Sequence, residues 1–220
     1  MHHIQKHILK ELTVHQTRRY SDMRPQNVDS NLYSYHLKSL IRDQFVVKTE
    51  KAYGLTPKGL AYVERVSIDK FEPRLQPKVI MIFVVENDKE EILLWLKSKQ
   101  PFINTWSLLS GKMHLDDESL TAAIERELIE KFDLLPQGIR HLGDCYIRAY
   151  VENELVSCVT GHICKLNLPD SARLHDRTRW VKKSELSLLD TSPATEQIFQ
   201  DTQIEQPFFF KEYEVHRQSR

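Results

Sequence analysis

The sequence has little glycine, few cysteines and no net charge. Six glycines and nine prolines among 220 residues exclude a collagen-like or low-complexity chain. The three cysteines, Cys145, Cys158 and Cys164, show no C-x-x-C spacing, which argues against a disulfide framework or a zinc finger and favours core thiols in a reduced, cytoplasmic protein. The 31 basic and 31 acidic residues cancel, which excludes a supercharged nucleic-acid binder when the chain is taken as a whole.

Long hydrophobic runs are also absent. The longest run, VIMIFVV at residues 79–85, has the length of a buried strand and falls well below the roughly 18 residues that a membrane span needs. The first ten residues become polar too early for a secretory signal. We therefore expect no membrane partner.

The zero net charge hides an asymmetry along the chain. Residues 1–78 contain 14 Lys and Arg against 8 Asp and Glu, a net charge of +6, whereas residues 79–220 contain 17 against 23, a net charge of −6. The stretch Ser67–Lys78 has two prolines and little apolar content, which is typical of a linker. We predict an N-terminal domain at 1–66, a linker at 67–78 and a second domain at 79–220.

The N-terminal part shows helical periodicity and then a short hairpin pattern. Two amphipathic helices are predicted from the spacing of apolar residues, the first with Ile4, Ile8, Leu9 and Leu12, and the second, from a cap at Asp29 or Ser30 to about Asp43, with Tyr33, Leu37, Leu40 and Ile41. A short element at Tyr20–Pro25 separates them, Phe45–Lys48 and Ala52–Leu55 form the hairpin, and Thr56-Pro57 starts a last helix.

This order, with the segment SNLYSYHLKSLIRDQFVVKTEKAYGLTPKG, resembles the winged helix-turn-helix of transcriptional regulators over residues 4–66. The resemblance implies that Ser30–Asp43 lies in a DNA major groove and that the hairpin contacts phosphate. The implied DNA-binding residues are Asn31, Ser34, Tyr35, Lys38, Arg42, Lys48 and Lys51. The alternative is that this domain serves dimerisation or binds a protein partner, because winged helices also do that.

The second part alternates strand-like and helix-like segments, which indicates an α+β fold with a mixed sheet. A helix at Ser119–Phe132 carries Glu127 and Glu130 on one side, because residues three apart on a helix are neighbours. Together with the acidic loop Asp116–Glu118, these carboxylates are suited to a hard cation such as Mg²⁺. Four histidines, His114, His141, His162 and His175, show no metal-ligand spacing, so we expect no site there.

The stretch from Gly111 to Leu134 resembles the Nudix box, in which a glycine and a glutamate precede an Arg-Glu-aliphatic-x-Glu-Glu-x-Gly-aliphatic run. Gly111, Glu118, Arg126-Glu127-Leu128, Glu130 and Leu134 match that pattern. The resemblance covers about residues 79–203. It implies a Nudix-type mixed-sheet α/β/α sandwich that follows the winged helix-turn-helix.

The resemblance also implies roles for individual residues. Glu127 would be a metal ligand and the base for an attacking water, Glu130 a second ligand, and Mg²⁺ or Mn²⁺ the cofactor. Glu118 and Arg126 would form the ion pair that holds the loop on the helix, beside Gly111. Trp106, Lys112 and Lys131 are further candidates for binding a nucleotide-type ligand.

Several departures from the box bear on activity. Six residues separate Gly111 from Glu118 where the pattern has five, Leu109-Ser110 replaces Pro-Gly, and Asp133 replaces a glycine. Lys131 stands where the pattern has a metal-binding glutamate. An ammonium about 4 Å from a cation is repelled by about 4 kcal/mol per unit-charge pair at an effective dielectric near 20. From this substitution we predict that metal-dependent hydrolysis is weakened or lost.

The leading hypothesis is a homodimeric DNA-binding regulator whose Nudix-like domain senses ADP-ribose, an NAD-related compound or a sugar nucleotide. In the Nudix-related regulators that it resembles, the winged helix follows the Nudix part, whereas here it precedes it. One alternative is an active Nudix hydrolase that cleaves nucleoside diphosphates linked to another group, and another is an interaction protein with neither activity. The aromatic segment Pro207–Val215 is expected to be an added edge strand or a dimer contact.

Overall fold

The protein is described from a computed structural model that covers residues 1–67, 69–87, 89–168 and 174–218, without the side chain of Gln137. The chain divides into two compact units, Met1–Leu75 and Gln76–Arg220. Within the described ranges, no helix is long and apolar enough to cross a membrane.

The first unit contains three helices, a short hairpin and a fourth helix. Their bounds are α1 His3–Val14, α2 Tyr20–Met23, α3 Ser30–Arg42, β1 Val46–Lys48, β2 Tyr53–Leu55 and α4 Pro57–Val63. This is the order predicted from the sequence, and the hairpin gains one further backbone pair because Arg18 bridges to Tyr53.

Capping side chains set where these helices begin. The Asp29 carboxylate accepts hydrogen bonds from the backbone N–H groups of Asn31 and Leu32, at 2.8 and 3.1 Å, which satisfies two of the free donors at the start of α3. Thr56 caps α4 through the N–H of Gly59, and Pro57 occupies the first helical position as predicted. The core of the unit is built from α1, α3 and the hairpin, with Ile8, Leu9, Tyr33, Leu40 and Val46 buried.

The segment that was expected to be a linker belongs largely to the first unit. Phe71 is 3% exposed and packs in the core of that unit, close to Tyr62. Val66 forms a bridge with Pro73, and Lys6 makes an ion pair with Glu72 at 3.4 Å. Composition predicted a linker because the segment is polar and contains two prolines, but the buried Phe71 ring, the bridge to Pro73 and the ion pair of Glu72 attach it to the first unit. Ile68 lies outside the described residues.

The second unit is one seven-stranded mixed sheet with helices on both faces. Its elements are β3 Lys78–Val85, β4 Glu91–Leu96, β5 Trp106–Lys112, α5 Leu120–Phe132, β6 Gln137–Val151, β7 Glu154–Asn167, β8 Thr178–Lys182, a 3₁₀ helix at Lys183–Leu188, α6 Thr195–Thr202 and β9 Phe209–Arg217. The strand order is β8-β4-β5-β3-β7-β6-β9, and β3–β7 and β6–β9 are the parallel pairs.

Strand β3 is apolar after Lys78, and both of its faces are covered from Met81 to Val85. Met81 and Phe83 alternate with Ile82 and Val84, so that the first pair packs under α5 and the second pair lies on the α6 side. The predicted α/β/α arrangement is confirmed.

The C-terminal aromatic segment forms an edge strand. Strand β9 pairs with β6, its Phe209 is buried, and the Tyr213 hydroxyl donates to Asp201 at 2.7 Å. Cys145 and Cys164 are buried free thiols, and burial raises the pKa of each to about 12. Cys158 is only half-buried.

We predict that Phe71→Ala destabilises the first unit by about 3–5 kcal/mol, the usual effect of truncating a buried phenylalanine. Hydrogen exchange of the full chain should show lost amide protection in residues 1–67 and unchanged protection in the second unit. Leu75→Ala is the matched control, since Leu75 is fully exposed at the end of the same segment. Equal effects of the two substitutions would show that the segment is a simple linker.

Candidate functional site

Strand β5, the loop after it and helix α5 build the candidate site. Ser119 caps α5 by accepting from the N–H of Ala122, and Asp133 is the C-cap residue that follows the last helical residue, Phe132. Asp133 has a φ of 54°, the left-handed conformation that favours glycine. An aspartate tolerates this conformation better than most residues do, which explains how the chain keeps the turn without the glycine of the pattern.

Gly111 lets strand β5 approach α5 closely. A Cβ atom at this position would lie 2.5 Å from the side chain of Glu127. Because no side chain fits there, Gly111 has the structural role expected of it, and Glu127 is pressed against the strand.

Arg126 holds the loop on the helix, but its partner is Asp117 and not Glu118. Its Nε and one terminal nitrogen donate to the two Asp117 oxygens at 2.7 and 2.8 Å, and the same terminal nitrogen donates to the carbonyl of Lys112 at 3.0 Å. The Arg126 hydrogen bonds, with a further one from the His114 backbone N–H, lower the pKa of Asp117 to about 2.

The expected Glu118–Arg126 ion pair is therefore wrong. The extra residue between Gly111 and Glu118 explains the change, because five residues separate Gly111 from Asp117, which is the spacing of the family pattern. Glu118 is exposed.

Glu127 is a buried carboxylate enclosed by two cations. Its side chain is only 3% exposed, one oxygen lies 2.8 Å from an Arg126 nitrogen, and the other lies 2.5 Å from the Lys131 Nζ. Burial opposes ionisation of Glu127, but the Lys131 and Arg126 contacts outweigh burial and hold its pKa below the usual value. Glu127 is thus a carboxylate in a cationic surrounding.

Glu130 and Lys131 differ from what a magnesium site needs. Glu130 is 60% exposed and lies 3.6 Å from an Arg126 nitrogen. The Lys131 ammonium contacts Glu127 directly and also points to the carbonyl of Ser110 at 3.4 Å. Lys131 takes the position beside Glu127 that a cation would take, so the residues present do not fit a divalent metal as they stand.

A cavity of about 100 Å³ opens beside β5, on the α6 side of the sheet. Its polar lining consists of Lys97, Ser107, Ser110, Ser157, Ser192 and Thr195. Burial, and then the charges of Lys78 and Lys131, lower the pKa of Lys97. Sequence reasoning missed Lys97, although a lysine that directly follows the apolar strand β4 is a usable signal.

The other two ligand-binding candidates lie apart from this lining. Trp106 is half-buried against the α6-side core, with the Arg179 guanidinium 4.2 Å from its ring centroid. Lys112 has an exposed side chain and contributes its carbonyl to Arg126. The cavity is lined by Ser107 and Leu108, which directly follow Trp106.

The predicted DNA-binding side chains fall into two groups. Asn31, Tyr35, Lys38, Lys48 and Lys51 are exposed on α3 and the hairpin segment.

The two remaining candidates have intramolecular partners. Ser34 shares a 2.8 Å hydrogen bond with the Tyr20 hydroxyl. Arg42 is also exposed, at 74% of its side chain, but it donates to Asp43 at 3.1 Å, and this pair offsets part of its charge. The first group is therefore freer to contact DNA than the second.

We predict that Asp117→Asn lowers the stability of the second unit, because it removes the acceptor of two charge-assisted Arg126 hydrogen bonds. A carboxyl with a lowered pKa stabilises the fold above its unfolded pKa of about 3.9, and this contribution is lost as the pH falls toward 2. Thermal unfolding between pH 5 and pH 2 should show a flatter pH dependence for Asp117→Asn. Glu118→Gln is the matched control, and a stronger effect of that variant would restore Glu118 as the partner of Arg126.

Comparisons with known proteins agree with this geometry. A family profile described as the NUDIX domain matches residues 75–202. The crystal structure of a mutator MutT protein from Bacillus halodurans aligns with 18% identity and a TM-score of 0.51, covering 62% of this chain and 89% of that one. The NUDIX domain of Shewanella oneidensis NrtR, crystallised with ADP ribose, aligns with 17% identity and a TM-score of 0.50, covering 68% and 97%.

A search of curated proteins gave no match. The two structural likenesses support the fold, and the family profile spans more than half of the 220 residues. The chain belongs to the NUDIX domain family.

Proposed function

We propose that this protein is a DNA-binding regulator whose NUDIX domain binds a nucleotide metabolite without depending on a divalent metal. The observation that carries the proposal is the contact between Lys131 and the buried Glu127. In this arrangement the side chain that would bind a catalytic metal is already neutralised by an ammonium group. A domain of this kind keeps the NUDIX fold and the cavity beside β5, but it lacks the free carboxylate that would bind a metal for metal-assisted hydrolysis.

The cavity beside β5 and the adjacent Lys131 favour a phosphate-containing ligand. Lys131 is 44% exposed on its side chain, and Lys97 lies close enough for the charge of Lys131 to lower its pKa. Lys97 and the serine hydroxyls of the cavity offer the donors that a diphosphate accepts. Lys131 does not line the cavity, but it lies next to it, 3.4 Å from the carbonyl of the lining residue Ser110. The enclosed volume is small, so the rest of a nucleotide would lie in the open mouth of the cleft. ADP-ribose, NAD-related compounds and sugar nucleotides have the required diphosphate.

The N-terminal unit supplies the DNA-binding half of the proposal. Its basic charge suits the phosphate backbone, and α3 presents Asn31, Tyr35 and Lys38 to solvent while Lys48 and Lys51 belong to the hairpin segment. Regulators of this type usually bind two half-sites as dimers, so we propose a homodimer. Regulation requires that the ligand bind the DNA-competent and DNA-incompetent states with different affinity.

The alternative function is a metal-dependent NUDIX hydrolase. The retained Arg126–Asp117 pair favours it, because that pair preserves the loop and helix geometry around Glu127.

We predict that ADP-ribose or a related nucleotide raises the unfolding temperature equally with and without Mg²⁺, since ligand binding to the native state increases its apparent stability. A thermal-shift series with ADP-ribose, NADH and a sugar nucleotide measures this. Lys97→Ala should reduce the shift, whereas Lys99→Ala, an exposed lysine two residues away, should not. Turnover of any of these compounds that requires Mg²⁺ and is abolished by Glu127→Gln would establish the hydrolase instead.

We predict that Lys131→Glu creates a metal-binding site at Glu127, because the change replaces the competing cation with a carboxylate ligand. Saturating Mn²⁺ should then raise the unfolding temperature of the variant by on the order of 5 °C and leave the wild type unchanged. Lys131→Gln serves as the control that removes the charge without adding a ligand. If wild type and Lys131→Glu respond alike to Mn²⁺, the role given to Lys131 is wrong.

We predict salt-dependent binding of the full chain to mixed-sequence duplex DNA. Lys38→Ala, Lys48→Ala and Lys51→Ala should each weaken binding and lower the slope of log K against log salt by about 1, as expected for a lost phosphate contact. Arg42→Ala should have a smaller effect because Asp43 already pairs with Arg42. Lys70→Ala is the matched control, since Lys70 is an exposed lysine of the same unit that belongs neither to α3 nor to the hairpin. A flat salt response would favour the partner-binding alternative.

A further inference from the structure

A cluster of two histidines and an aspartate lies on neighbouring strands of the NUDIX sheet and shares no residue with the site described above. His141 and Asp144 belong to β6, and His162 lies directly opposite Asp144 on β7. Their side chains are about one-quarter to one-third exposed, at 33, 30 and 26%, so the cluster is accessible to an ion from solvent.

A bulge in β6 brings the three side chains to one face of the sheet. In a regular strand, residues three apart such as His141 and Asp144 point to opposite faces. Here His141 opposes Cys164 while Gly143 opposes Ile163, so Leu142 is an extra residue in the ladder. The extra residue turns His141 to the same face as Asp144, which is how bulges redirect side chains.

Three ligand atoms converge at this point. One carboxylate oxygen, the Asp144 Oδ1, lies 2.8 Å from the His141 Nε2 and 2.8 Å from the His162 Nδ1. The three atoms lie within 4.8 Å of one another, and the Gly143 carbonyl oxygen is 3.1 Å from the His141 Nε2. A tetrahedral ion with bonds of about 2.0–2.1 Å needs ligand atoms about 3.3 Å apart, so small side-chain rotations suffice to hold it.

The chemistry of these donors selects the class of metal. Two imidazoles and one carboxylate suit divalent transition metals, above all Zn²⁺, whereas Mg²⁺ and Ca²⁺ prefer oxygen ligands alone. Zinc sites with three protein ligands keep a fourth position for water or another ligand. We propose that His141, Asp144 and His162 form a Zn²⁺-type metal site with one open coordination position, independent of the Nudix box and of the function proposed above.

The surroundings of the cluster support a structural coupling to the C-terminal strand. The ring of Phe208, just before β9, packs edge-on against His141 with centroids 5.3 Å apart, and Phe210 opposes Asp144 across the β6–β9 ladder. A metal that fixes His141 would therefore also stabilise the packing of β9 against the sheet.

Zinc titration of the metal-free full-length protein, in competition with a chromogenic chelator, tests the proposal. Wild type should bind about one equivalent of Zn²⁺ at the cluster, and His141→Gln and His162→Gln should each weaken that binding by about 100-fold or more, because loss of even an outer-shell partner costs 10–100-fold. The His2→Gln/His3→Gln double variant is the control, since it removes two histidines that are adjacent in the sequence of the first unit and leaves the cluster intact. Mg²⁺ should not compete.

A second readout identifies the ligands directly. Wild-type protein loaded with Co²⁺ should show the intense visible absorption of a tetrahedral site, and this absorption should disappear in His141→Gln. Circular dichroism of the metal-free variants confirms folding, and Asp144→Asn replaces His141→Gln if that variant unfolds. The proposal is overturned if wild type takes up no Zn²⁺ at the cluster, or if the cluster variants bind Zn²⁺ as tightly as wild type.

Discussion

The geometry of the NUDIX site depends on one buried charge, the carboxylate of Glu127. A buried carboxylate is unfavourable unless it is paired and hydrogen-bonded, and loss of one partner of a buried ion pair typically costs about 3–5 kcal/mol. Arg126 and Lys131 supply that pairing, and Gly111 provides the space for it. Arg126 in turn binds Asp117, so the loop after β5 is fixed by the same guanidinium that neutralises Glu127.

Charge balance explains what Lys131 changes. Asp117 and Glu127 carry two negative charges, and Arg126 and Lys131 carry two positive ones, so this cluster is neutral without an added ion. A glutamate at position 131, as in the Nudix box, would leave a net charge of −2, which a divalent cation neutralises. The single substitution therefore replaces the electrostatic role of a metal with that of a side chain.

The sequence predicted features that depend on local periodicity and capping. The apolar stripe of α5, the buried strand β3 and the caps at Asp29 and Thr56 follow from neighbours in the chain, and all of them are present. Phe71 shows where composition fails, because its burial depends on a tertiary pocket that a polar segment does not reveal.

Spacing rules fail where a segment departs from regular geometry. The loop between Gly111 and α5 has one extra residue, so the ion pair moved from Glu118 to Asp117. His141 and Asp144 show no ligand spacing in the sequence because residues three apart in a regular strand point to opposite faces, and the bulge at Leu142 breaks that alternation. Both cases involve one inserted residue, which changes the position of a side chain without changing the secondary structure around it.

The partly exposed Lys131 also links ligand binding to the loop. Under the proposed function, a ligand phosphate competes with Glu127 for the ammonium, because Lys131 has a flexible stem and an exposed side chain. When Lys131 turns to the ligand, Glu127 keeps Arg126 at 2.8 Å and His114 at 3.9 Å, and the Arg126 guanidinium is then shared differently between Glu127 and Asp117. Since the Arg126–Asp117 hydrogen bonds hold the loop before α5, a change in those hydrogen bonds would move the loop. Under the proposed function, the buried charge on which the site is built would thus convert ligand binding into a conformational change.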